Sequence, residues 1–168
     1  MNIFSKEKDK PNNNESLTRI ASLLIHAAKI DEEYTEEEKQ IINKTLIELG
    51  AESSDVNNII ANAVDMEQNS NQILDFTKEI KGMPDSNKNK LIETLWKIIY
   101  SNSNADMYET NLMRRLAGLL YIDDKTMGDL KEKVRMELSK WLMLLMINVL
   151  NVNWWTVLKF VQSTVFMR

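Results

Sequence analysis

Asp31-Glu32-Glu33-Tyr34-Thr35-Glu36-Glu37-Glu38 is the stretch that decides the fold, and six of its eight residues are carboxylates. A largely apolar run, Leu23 to Ile30, leads into it, and a second run beginning at Ile41 leads away. Both runs recur at three and four residues, the spacing of one buried helical face. Between them Thr35 sits three residues before Glu38, the pattern of a capping box that opens a helix. The stretch therefore predicts a helical hairpin closed by an oxygen-rich turn.

A weaker copy occupies Asn102 to Glu109. At an offset of 71 residues Asp31 falls on Asn102, Glu38 on Glu109, Leu24 on Leu95 and Ala28 on Ile99. Ile41 and Ile42 fall on Leu112 and Met113. Two copies are too few for a solenoid. They predict one domain whose halves are related by a pseudo-twofold.

Composition agrees. A chain of 168 residues can bury a sizeable single core. Four Gly and two Pro are too few for the turns of a many-stranded sheet. With no Cys, disulfides, thiolate metal sites and cysteine nucleophiles are excluded, and one His excludes any site needing two imidazoles. A net charge of −4 argues against nucleic acid as a partner. The opening residues are polar and Asn/Lys-rich rather than a signal peptide, which favours the cytoplasm.

Outward from the two turns, residues 1–15 read as a flexible arm and 16–140 as the helical domain. Ser16 would cap a first helix, Leu17 to Ile30, with Leu17, Ile20, Leu24 and Ala27/Ala28 buried and His26 on the outer side. The second helix should stop at Gly50. A third starts at Ser53 or Ser54, a fourth at Ser70, a fifth at Asp85 or Ser86, and a seventh near Asp123 or Asp124. The sixth carries Leu112, Met113, Leu116, Ala117, Leu119 and Leu120. The expected fold class is all-α, a compact bundle of about seven helices built from two hairpins, plus an apolar C-terminal helix.

At Trp141 the composition changes. Trp141 to Leu158 holds no charge, and every acid in the chain precedes Lys140. Eighteen residues at 1.5 Å rise span about 27 Å, barely a bilayer core, and Asn148, Asn151 and Asn153 suit lipid poorly. The segment 141–168 therefore has three readings: a membrane anchor making contact through 141–158, a docking helix, or an aberrant tail.

Asp31, Glu33, Thr35 and Glu38 place oxygen atoms at alternating positions ahead of a helix, as a shortened calcium loop does. Oxygen-only ligands select a hard cation, Ca²⁺ or Mg²⁺. Asn102, Asp106 and Glu109 offer a poorer set with two carboxylates. Helix capping and the macrodipole call for the same residue types at the same places. No Gly-rich phosphate loop occurs among Gly50, Gly82, Gly118 and Gly128, and a triad would have to use His26. Arg114-Arg115 reads as a pair of surface cations able to meet an anion or an acidic partner.

Leu95-Trp96, Tyr100, Tyr108-Glu109 and Leu112-Met113-Arg114-Arg115-Leu116-Ala117 resemble the TerB-like family of bacterial helical domains. There the pattern runs Leu-Trp, an Ala-Asp-Gly turn, Tyr-Glu, two spacers, then Leu-Ile-Arg-Arg-Leu-Ala. Asp31 and Glu38 match the family's other Asp-turn-Glu half, and the tail after Lys140 lies outside the resemblance. The chain departs where Asp-Gly becomes Asp31-Glu32 and Asn102-Ser103, which disfavours tight left-handed turns. The resemblance implies a helical binding or scaffolding module tied to tellurite resistance and other stress responses. It further implies an association with metal, membrane-tethered relatives and no established enzymatic reaction. The expected function is thus a non-enzymatic module binding protein partners through its acidic turns. A membrane-anchored module and a metal-dependent enzyme are the alternatives.

Overall fold

Helix α1 (Asn13–Ala28) is apolar on most of its circumference: Leu17, Ile20, Ala21, Leu23, Leu24, Ile25, Ala27 and Ala28 are all buried. With only a narrow strip around Arg19 and His26 left part-exposed, such a helix belongs at a bundle's centre. It packs against α2 (Glu36–Glu48), α3 (Val56–Asn69), α4 (Leu74–Ile80) and α5 (Asp85–Ser101). Then follow α6 (Met107–Leu120) and α7 (Asp124–Leu150). The computed structural model describes residues 13–30, 34–70, 73–101 and 107–150, and no strand occurs among them. The all-α expectation of about seven helices holds.

The chain divides into two units, Met1–Leu130 and Lys131–Arg168. In the first, α2 also packs against α5 and α3, and α4 against α6. Leu91, Ile92, Leu95, Trp96, Ile98 and Ile99 of α5 are buried, as are Phe76 and Ile80 of α4. Each such side chain contributes about 1.5–3 kcal/mol by leaving water. The two halves correspond closely: α2 and α6 begin 71 residues apart. Each is followed by a left-handed residue, Gly50 at φ 104° and Tyr121 at φ 57°. Both ends close alike, Ala51 N–H donating to Leu46 O and Ile122 N–H to Ala117 O.

Several boundaries differ from expectation; α1 ends at Ala28 rather than Ile30, and α3 begins after Asp55 rather than at Ser53 or Ser54. Helix α1 starts at Asn13, a turn before the Ser16 cap, because Asn14 O accepts from Thr18 Oγ1 at 2.7 Å and Glu15 pairs with Arg19 at 3.0 Å. Helix α4 starts at Leu74; Ser70 turns its hydroxyl to Asp75 instead, at 3.2 Å. Helix α7, capped by Asp123 through the Thr126 N–H at 2.9 Å, does not pause at Trp141 but runs on to Leu150. Nothing between Gly128 and Leu150 breaks a helix, so a change in composition left the backbone unchanged. The reading of 141–168 as a separate apolar helix is not reproduced as far as Leu150, and residues 151–168 lie outside the described ones. No helix among the described residues is long and apolar enough to cross a membrane.

Candidate functional site

The head of α2 is built by its capping box. Thr35 is extended (φ −81°, ψ 162°), which frees its hydroxyl to accept from the Glu38 N–H at 3.3 Å. Glu38 folds back so that its Oε2 accepts from the Thr35 N–H at 2.8 Å and from Thr35 Oγ1 at 2.9 Å. The spacing Glu38, Ile42, Thr45 puts the carboxylate on the helix face that also carries the core. Glu38 is only 1% exposed. Its other oxygen, Oε1, lies 3.4 Å from Ser101 Oγ, the last residue of α5. That hydroxyl has one proton and is closer to Ile98 O, at 2.6 Å, so the carbonyl takes it. Among the described residues Glu38 Oε1 meets no closer donor.

Ser101, at the end of α5, thus stands beside the head of α2. Glu109, the third residue of α6 as Glu38 is of α2, is likewise buried, 7% exposed. Of the expected cation ligands the structure thus places Thr35, Glu38 and Glu109. Asp31, Glu33, Asn102 and Asp106 lie outside the described residues. Among the described residues no three His, Asp or Glu side chains are grouped to hold a metal.

Around the box, Glu36 and Glu37 are exposed, and Glu36 pairs with Lys39. The Lys39 ammonium also stands 5.4 Å from the centre of the Tyr34 ring. The Tyr34 hydroxyl is buried with no hydrogen-bond partner among the described residues. Burial first, then the charges of Glu38 and Glu36, pushes its pKa up to about 12. Tyr34 therefore stays neutral beside the head of α2.

Two arrangements escaped the sequence reading. Glu67 of α3 accepts from Lys29 Nζ at 2.6 Å and lies 3.2 Å from His26 Nδ1. His26 is therefore an α1–α3 tether rather than a freely solvated side chain: Glu67 lies 41 residues away and pattern on one helix cannot show it. Burial is the largest influence on Glu67 and pushes its pKa up. The hydrogen bonds from Lys29 and His26 outweigh it, and the pKa ends lowered. Beside α1 and α3, Asn14, Thr18, Asp55, Asn58 and Asn62 line a shallow polar groove of about 420 Å³. The four-residue spacing of Asn58 and Asn62 was its only signal.

Neither a curated protein nor a solved structure matches the chain. The model of the family described as tellurite resistance protein TerB matches residues 17–132, well over half the length, and the chain belongs to the TerB family.

Proposed function

We propose that this TerB chain is a non-enzymatic binding module of a bacterial stress-response system resembling tellurite resistance, with the acidic heads of α2 and α6 as its recognition face for a protein partner. The observation that carries the reading is Glu38: a buried carboxylate that fixes the α2 head while Glu36 and Glu37 remain in solvent. A hard cation, Ca²⁺ or Mg²⁺, is an accessory, and Glu38 Oε1 is the described atom best fitted to meet it. The cation would stiffen the turn by joining Glu38 to the acids that precede it in sequence.

Calorimetric titration of the full chain with Ca²⁺ and with Mg²⁺ tests this, beside Asp31→Ala/Glu33→Ala. A saturable heat that the double variant loses is expected. Melting should then rise with cation, by about 2.7 kcal/mol of stability at a hundredfold excess over Kd. A flat titration sinks the cation, and the acidic turn is then capping and surface charge alone.

A second reading has its own observation. Trp141, Leu142, Leu144 and Leu145 of α7 are all exposed. They suit contact with a membrane surface by a chain that otherwise works in the cytoplasm, and vesicle flotation tests it.

A further inference from the structure

We propose that the outward face of α6 docks an acidic segment of a protein partner, with Arg114 and Arg115 meeting its carboxylates. This face is distinct from the acidic helix heads and opposite in charge.

Helix α6 buries Leu112, Met113, Leu116, Ala117 and Leu120. At about 100° per residue, Met107, Tyr108, Arg114, Arg115 and Gly118 share an arc of about 120° on the other side. Met107 and Tyr108 are 78% and 75% exposed, and both arginines are exposed as well. Neither arginine has a hydrogen bond or ion pair among the described residues. In a chain with 25 acids against 21 Lys and Arg, two adjacent arginines without a carboxylate stand out. Arg, Tyr and Met are the residue types enriched in the centres of protein interfaces. The guanidinium fork matches a carboxylate in two hydrogen bonds.

Two further residues are poorly chosen for the fold and well chosen for a contact. Gly118 sits inside α6, where glycine weakens a helix. A Cβ built there would meet nothing within 4 Å, so packing does not require the glycine. Its effect is a flat spot between Arg114 and Arg115 on one side and the helix end on the other, where a partner's backbone can approach. Tyr121 follows α6 at φ 57°, in the place where the other half of the molecule has Gly50. Its ring is 81% exposed and carries Lys81 Nζ 5.5 Å from its centre. Among the described residues of α6 this face thus carries Tyr108, Arg114 and Arg115 around a flat centre without a carboxylate, and the Tyr121–Lys81 pair stands at the helix end. Its charge selects an acidic segment, and the flat centre accommodates an apolar residue or bare backbone.

The test is selection of peptides from a random dodecamer display library on the full chain, followed by anisotropy titration of the best binder. Enriched peptides should be rich in Asp and Glu. Arg114→Glu/Arg115→Glu should weaken the best binder about 30-fold or more, and Gly118→Gln about tenfold, while Gly118→Ala stays within about threefold. Both Gly118 variants should melt no lower than the parent, since each improves helix propensity. Enrichment of neutral or basic peptides, of none, or binding that survives these changes overturns the proposal. A single-stranded oligonucleotide binding as tightly as the peptide gives the face to nucleic acid and overturns it. So does self-association abolished by the arginine variants, which gives the face to a second copy.

Discussion

Burying a carboxylate at 1% exposure requires that its oxygens be met, and at Glu38 one of them is met twice by Thr35. Removing the side chain leaves the Thr35 N–H and hydroxyl facing a void under the first turn of α2. Glu38→Ala should therefore cost about 2–3 kcal/mol, one cap plus a stranded donor. Glu38→Gln keeps the shape and one acceptor oxygen, and should cost about 1 kcal/mol. Urea denaturation of the three proteins measures both, and an alanine variant within about 0.5 kcal/mol of the parent would refute the capping account. The box itself was legible, because Thr35 and Glu38 stand three apart ahead of an apolar run. The burial of Glu38 was legible only in the spacing it shares with Ile42 and Thr45. Tyr121 was not legible at all: a left-handed helix end is announced by Gly, and at this residue the announcement is missing.

Tethers between helices belong to the next scale. Glu67 binds Lys29 and His26, so α3 is held to α1 by polar contacts as well as apolar ones; the Ser22 hydroxyl, closer to Thr18 O at 2.9 Å than to Ala63 O at 3.1 Å, adds little. Because the pKa of Glu67 is lower in the folded chain than its ordinary 4.5, folding favours its charged form. The contribution is fully present above the unfolded value and is lost as pH falls through the folded one. Glu67→Gln should lower stability by about 1 kcal/mol at pH 7, a modest figure for a partly solvated pair. The gap should narrow as pH falls below the ordinary 4.5. Melting curves of both proteins from pH 7 to 3 would show it, and a gap that persists at pH 3 would mean that shape, not charge, sets the cost. At this scale the sequence was most informative where one stripe decides, as in α1, α2 and α5. It failed where local hydrogen bonds move a boundary, as at Asn13 and Leu74, because those bonds lie outside the hydrophobic period.

Charge is unevenly distributed over the whole molecule. Every acid lies at or before Glu137, and the remaining sequence carries Lys140, Lys159 and Arg168 against no carboxylate. The last buried apolar residue among the described ones is Val134, whereas Trp141, Leu142, Leu144 and Leu145 are exposed. At about 100° per residue these four span an arc of about 160°, with Lys140 just beyond one edge and Arg135, paired with Glu132, just beyond the other, while the exposed Glu137 projects within the arc one turn before Trp141. An apolar arc edged by cations is the pattern of a helix lying in the surface of an anionic bilayer. Burying four such side chains contributes roughly 6 kcal/mol at the low end of the per-residue range, enough for reversible attachment. The full chain should therefore float with vesicles containing phosphatidylserine and release in high salt, because part of the attraction is screened charge. Trp141→Glu/Leu145→Glu should abolish flotation while changing the melting temperature by no more than about 2 °C, since neither side chain is in the core. Flotation by the variant would move the contact to residues 151–168. Flotation by neither protein would leave the exposed arc to a protein partner. Composition located the change at Trp141 but could not say that the helix runs through it, because apolarity determines what a helix faces and not where its backbone ends.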